Sequence, residues 1–264
     1  AVGAKSIFNE PFGNAAFNVV HLPIPNAGNI TEILKKISEL ATELQIAGFI
    51  FEPLVQGSGG MLMYDAEYLE QMIIHCQKLD IICIADEVMT GFGRTGAMFA
   101  CDHLEVAPDI FCLSKGLTGG YLPLGVTSCT SKIYHAYLEN DPKKTFYHGH
   151  SYTANPLACT AGVASLDIFH QPDYIDEIIR ITFKHQSFLH QLKLNPKVEN
   201  PRQTGTIIAS YFNSKRDQYY KAFLDKGILL RPLGNTIYIL PPYCITNEEL
   251  DLIYKTILEV LDSL

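Results

Sequence analysis

Leu79-Asp80-Ile81-Ile82-Cys83-Ile84-Ala85-Asp86-Glu87-Val88 is the stretch whose reading decides the fold. Its apolar run ends at Ala85 and is followed at once by two carboxylates. A short, continuously apolar run rich in β-branched residues is the pattern of a strand buried in a parallel sheet. Asp86 then lies just past the carboxyl end of that strand, at the edge where open α/β sheets bind ligands. Working outward, Ala47–Phe51, Asp109–Leu113 and Leu124–Cys129 read as further strands. Thr31–Gln45 and Asp65–Lys78 carry apolar residues at helical spacing, with Thr31 and Asp65 at the capping positions. Strands alternating with helices predict a mostly parallel sheet covered on both faces. The opening stretch to Asn29, rich in Gly, Pro and Asn, reads as loop. After Pro156 the texture changes. A long apolar helix runs to about His170, a second spans Asp173–Leu192, and strands follow at Gly205–Phe212, Ile228–Arg231 and Thr236–Leu240. Asn247–Leu264 closes the chain as a helix. The expected class is α/β, with residues 1–169 in a large domain built on the parallel sheet and residues 170–264 in a small C-terminal α+β domain.

The bulk composition narrows the function. The chain has 264 residues, 47% hydrophobic and 18% charged, which is the composition of a globular protein with a core. Its formal charge is −8 with no basic stripe, which argues against a nucleic-acid partner. No apolar run is long enough to span a bilayer. The opening AVGAKSIFNEPFG lacks the charged and apolar regions of a signal peptide and does not begin with Met, so the chain reads as the later part of a longer one. The seven cysteines form no CxxC pair, and their odd number points to free thiols in a reducing compartment, the cytoplasm. The nine histidines show no HExxH spacing, and no metal site is expected. His148 and His150, two apart in a Gly-containing loop, read as loop residues.

Chemistry concentrates between Glu52 and Leu157. Lys115 follows the strand ending at Leu113 and sits in the Gly-rich turn Ser114-Lys115-Gly116-Leu117-Thr118-Gly119-Gly120. Alone, a lysine is most often a solvated surface group and an aspartate at a strand end a turn cap. Together, Asp86 and Lys115 close two successive strands of one sheet, so their side chains can meet over the same edge. A lysine there can serve as a nucleophilic amine, most readily when desolvated. Pyridoxal 5′-phosphate needs such a pair, a lysine to hold its aldehyde carbon and a carboxylate to keep its ring nitrogen protonated.

The ordered series Ile84–Val88, Thr90-Gly91-Phe92-Gly93-Arg94-Thr95-Gly96 and Ser114–Gly120 resembles the class III aminotransferases of pyridoxal-phosphate fold type I. The resemblance extends over nearly the whole chain. Glu52–Met61, Tyr147–Cys159 and Arg231–Tyr243 are similar to the branch that makes a diamine in biotin synthesis, with S-adenosylmethionine as amino donor. Many other members carry Gln after the Asp-Glu-Val triplet; here that position is Met89, which is compatible with the same branch. The resemblance implies a role for each matching position. Lys115 binds the cofactor covalently and later moves the proton; Asp86 faces the ring nitrogen; Val88 packs on one ring face. His150 and Ser151 reach the phosphate of the cofactor in the other subunit of a homodimer with shared active sites. Gly149, Arg231 and Tyr238 contact substrate, with Arg231 on the carboxylate of the oxo acid, and Glu52 lies nearby. The family's phosphate-cradling turn and the aromatic residue on the other ring face come from upstream sequence that these residues do not include. Two other readings stand beside this one: a class III aminotransferase acting on an ω-amino acid or diamine, and a non-catalytic fragment of such an enzyme.

Overall fold

The computed structural model describes residues 2–3, 10–15, 17–212 and 216–263. Its elements in chain order are α1 (Ile30–Glu43), β1 (Gly48–Phe51), β2 (Val55–Gln56), β3 (Leu62–Met63), α2 (Ala66–Lys78), β4 (Ile82–Asp86), β5 (Ile110–Leu113), β6 (Val126–Cys129), α3 (Ser131–His135), α4 (Pro156–Phe169), α5 (Pro172–Leu194), β7 (Val198–Thr204), β8 (Ile207–Phe212), α6 (Arg216–Asp225), β9 (Thr236–Ile239) and α7 (Asn247–Ser263). Within the opening stretch expected to be loop, a 3₁₀ turn spans Glu10–Ala15; residues 1, 4–9 and 16 lie outside the described residues, as does Leu264 of the closing helix.

The first sheet has the order β1-β4-β5-β6, with β1, β4 and β5 parallel and β6 antiparallel to β5. Cys83 and Ala85 of β4 are fully buried, on the side covered by α1 and α2. Helix α1 supplies Ile30, Ile33 and Ile37, and α2 supplies Leu69, Met72, Ile73 and Cys76, both at the i, i+3, i+4, i+7 spacing of a single apolar face. Each such side chain contributes roughly 1.5–3 kcal/mol by leaving water. Ser38 and His75 join the two helices by a 2.7 Å hydrogen bond. The expectation that both faces of the sheet are covered is not met in this chain. Ile82 and Ile84, on the opposite face of β4, are half-buried, and Ile50, paired with Ile84, is 39% exposed.

The second sheet, β7-β8-β9, is antiparallel and packs under α5, α6 and α7 around Ile181, Phe188, Phe223, Leu250 and Val260. Alternate residues of β8 serve two cores: Ile207 and Ala209 join the cluster of α1, α2 and the first sheet, whereas Ile208 and Phe212 join the C-terminal one. One expectation is corrected here. Ile228–Arg231 is not a strand: Pro232 and Gly234 break it into a turn closed by the bridge Leu233–Thr236. Of the free cysteines, Cys76, Cys83 and Cys101 are buried, Cys112 is half-buried, and Cys129, Cys159 and Cys244 are exposed.

Candidate active site

Strand register brings the chemistry together. Phe51 pairs with Ala85, so Glu52 and Asp86, the next residues, stand level at the carboxyl ends of β1 and β4. Asp86 in turn pairs with Cys112, and three residues later β5 runs into the 3₁₀ turn Lys115–Thr118. The three side chains lie within electrostatic reach of one another. Burial pushes the Glu52 carboxyl above its ordinary value; the Gly57 N–H opposes this, Asp86 adds to it, and the Lys115 ammonium opposes it. Glu52 is oriented by that Gly57 N–H, which donates to its Oε2 at 2.9 Å. Asp86 Oδ1 accepts from the Val88 N–H at 3.1 Å, which turns the chain and places Val88 beside it, half-buried. Lys115 has the left-handed φ of 45°, and Gly120 N–H closes the turn on its carbonyl at 3.1 Å. Lys115 is exposed in this chain.

Sequence reasoning overlooked Glu87. It points to the opposite face from Asp86, is fully buried, and accepts from the Thr90 hydroxyl and from the N–H groups of Ala100 (3.0 Å) and Cys101 (2.8 Å). The period of two along β4 was the available signal, because Glu87 continues the side of Cys83 and Ala85. Also overlooked were Arg202 and Thr236. Arg202 donates to the carbonyls of Met61 (2.7 Å) and Gly60 (2.6 Å), and the Thr236 hydroxyl reaches the Gly60 carbonyl at 3.4 Å. The C-terminal sheet thereby holds the turn whose Gly57 N–H orients Glu52.

The remaining sequence-derived positions are not gathered at this edge. Gly149, His150 and Ser151 lie in an exposed loop, where the Tyr152 N–H donates to His150 Nδ1 at 3.1 Å. The first amides of α4 are already occupied, since Asn155 Oδ1 accepts from Leu157 and Ala158. Arg231 is exposed and makes no ion pair among the described residues. Tyr238, half-buried on β9, packs against the α1–α2 core.

A lysine turn and a carboxylate closing adjacent parallel strands, beside a second α+β sheet, is the arrangement of the fold type I aminotransferases. Residues 1–261 match the family model described as aminotransferase class-III. The chain is 45% identical to the adenosylmethionine-8-amino-7-oxononanoate aminotransferase of Synechococcus elongatus, over 100% of this chain and 66% of that protein. It is 37% identical to the Helicobacter pylori protein of the same name, over 100% of this chain and 64% of that one. The crystal structure of the Methanocaldococcus jannaschii protein of that name superposes with a TM-score of 0.88 at 34% identity, covering 97% of this chain and 63% of the other. The chain belongs to the class III aminotransferase family. It spans just under two thirds of the length of these relatives. Class III aminotransferases in general use pyridoxal 5′-phosphate.

Proposed function

We propose that this chain forms the greater part of a pyridoxal-phosphate aminotransferase. It would transfer an amino group from S-adenosylmethionine to 8-amino-7-oxononanoate, giving 7,8-diaminononanoate for biotin synthesis. The carrying observation is the placement of Asp86 and Lys115 on adjacent strand ends, with Glu52 beside them. The names of the relatives at 45% and 37% identity support the choice of substrates.

The residues present fit the cofactor. Among the described residues neither the Lys115 amine nor the Asp86 carboxylate is held in an ion pair, so both are available at one edge. When bound, pyridoxal phosphate supplies an electron sink that makes a substrate C–H bond acidic. Lys115 would hold the cofactor through its side-chain amine and would be the base that moves the proton. Asp86 would keep the ring nitrogen protonated; a carboxylate stabilises that positive charge where a neutral amide does not. Val88 would bound one ring face. Arg231 binds the acceptor carboxylate with its planar guanidinium, and Tyr238 and Gly149 line the substrate side. His150 and Ser151 serve the phosphate of a second subunit in a homodimer. Because Asn155 occupies the first amides of α4, and the His150 and Tyr152 N–H groups donate to Thr153 Oγ1 and His150 Nδ1, that role falls to the Ser151 hydroxyl.

The test is a turnover assay of the complete protein with pyridoxal phosphate and 8-amino-7-oxononanoate, offering S-adenosylmethionine or an ω-amino acid as donor. Diamine formation with S-adenosylmethionine, lost in Lys115→Ala, is expected. Turnover only with ω-amino acids would move the enzyme to another branch. No turnover with any donor would leave the chain a non-catalytic member.

A further inference from the structure

The loop Thr90–Gly96 is pressed between the lysine turn and the C-terminal part of the chain, and Phe92 is the residue that touches both. It is buried and non-glycine, yet holds a left-handed φ of 61°. Its ring lies so close to Gly116 that a Cβ there would meet ring and side-chain atoms at 2.8–3.0 Å. Gly116 directly follows Lys115, itself left-handed, and its carbonyl accepts from the Ser165 hydroxyl of α4 at 3.1 Å. On the other side, the Tyr243 hydroxyl donates to the Phe92 carbonyl at 2.8 Å, and Phe92 N–H donates to the Met98 carbonyl at 2.6 Å. Tyr243 is itself fixed. The Arg94 guanidinium lies 4.5 Å over its ring while donating to the Pro241 carbonyl at 2.6 Å, and Tyr174 meets it edge-on at 5.1 Å.

We propose that Tyr243, acting through Phe92, is a positioning residue for Lys115: its hydroxyl holds the Phe92 backbone in the strained conformation that wedges the ring against Gly116 and sets the direction of the lysine. The proposal rests on the reading of Lys115 as the cofactor-binding lysine. The chemistry is consistent end to end. A left-handed non-glycine residue persists only where its surroundings over-determine it, and here one hydrogen bond comes from the hydroxyl of Tyr243. Burial pushes that hydroxyl up to about 12, so it remains a donor across the working pH range. The ring of Phe92 fills the space a side chain at position 116 would occupy, so a shift of Phe92 is passed to Lys115 through Gly116.

The experiment is Tyr243→Phe in the complete protein loaded with pyridoxal phosphate. Three quantities are read: the pH titration of the absorbance of the lysine-bound cofactor, kcat and KM, and the melting temperature. Loss of one positioning hydrogen bond should move the titration midpoint by about half a pH unit or more and lower kcat about three- to tenfold, with KM little changed. A staple that serves only stability would lower the melting temperature and leave the midpoint and kcat where they were, and that result overturns the proposal. Phe92→Leu keeps an apolar side chain but removes the flat ring, and it should move the midpoint in the same way. An unmoved midpoint in whichever of the two variants folds is equally fatal. If borohydride fixes no cofactor on Lys115 in the unmutated protein, both this proposal and the functional reading fall. A cofactor fixed there, with unmoved variants, removes only the positioning role.

Discussion

Asp86 is the residue at which fold and chemistry can be separated. Its structural task is to accept the Val88 N–H through Oδ1, and an asparagine retains that oxygen. Asp86→Asn should therefore change unfolding stability by less than about 1 kcal/mol. It should nevertheless slow the half-reaction by about a hundredfold or more, as expected for losing a preorganised charge beside the reacting group. Stopped-flow half-reactions set against urea unfolding check both; an unchanged rate would reduce Asp86 to a turn-maker. Asp86 and Lys115 were legible in the sequence because a buried strand and a glycine-rich turn leave so few positions at the sheet edge. Glu87 and Phe92 were not. The importance of Glu87 comes from backbone N–H groups thirteen and fourteen residues away. The conformation of Phe92, which costs roughly 1–2 kcal/mol, depends on a hydroxyl 151 residues along the chain.

Among the elements, the buried strands and amphipathic helices were found within a few residues, because their apolar periodicity is local. Helix α1 begins at Ile30 rather than after Thr31, and β4 begins at Ile82 because Leu79 and Asp80 form the turn after α2. Strand β7 was missed: Val-Glu-Asn-Pro-Arg-Gln-Thr has no alternation, and its pairing with β8 is broken by an irregularity between Glu199 and Arg202. Its pairing with β8 and the bonds of Arg202 to the Gly60 and Met61 carbonyls explain why it is extended. Helix α6 was missed as well. The turn between β7 and β8 gives a sharp test. Gly205 has φ 53°, and a Cβ there would lie 2.3 Å from the Thr95 carbonyl carbon. Gly205→Ala should destabilise by about 3 kcal/mol or more, from strain and backbone overlap together, seen as a lower urea midpoint. A midpoint unchanged from the parent would mean the two loops do not touch. On the inner face of α5, His185 is fully buried between the Tyr254 hydroxyl (2.6 Å) and the Thr206 carbonyl (3.1 Å). Burial lowers its value from 6.5 to about 4. The unfolded chain therefore takes up the proton first as pH falls. Stability from this group is complete above about pH 6.5 and is lost toward pH 4, by about 3 kcal/mol. Unfolding free energies across that range should fall more steeply for the parent than for His185→Gln; parallel curves would contradict the assignment.

At the scale of the molecule, the surface around β6 and α4 is the unusual feature. Tyr121, Phe146, Tyr147, Tyr152, Leu157 and Val163 are all more than half exposed, on a chain where no described helix is long and apolar enough to cross a membrane. Exposed apolar residues grouped in this way are what the proposed second subunit would cover. The same surface carries the Gly149–Ser151 loop assigned above to the second subunit's cofactor. If the sites are shared, chains carrying Lys115→Ala and chains carrying Ser151→Asp, each inactive alone, should regain activity when refolded together, because one site of the mixed dimer then has an intact lysine and an intact neighbouring loop. Mixtures that dimerise but stay inactive would return Ser151 to its own subunit. The division into domains near residue 170 remains part of the same proposal. It would put Arg231 on the small domain, within reach of an incoming carboxylate. Arg231→Ala should raise the acceptor KM roughly ten- to a hundredfold, the scale of one charge-assisted pair, and leave the donor half-reaction nearly intact. Equal damage to both half-reactions would place Arg231 elsewhere.

The central claim is that Lys115 carries the cofactor at the edge where Asp86 and Glu52 meet. The direct measurement is borohydride reduction of the complete protein with pyridoxal phosphate, followed by peptide mass mapping. The account predicts the reduced cofactor mass on Lys115 and its absence from that peptide in Lys115→Ala. Stoichiometric label on a different lysine, with Lys115 unmodified, would contradict it.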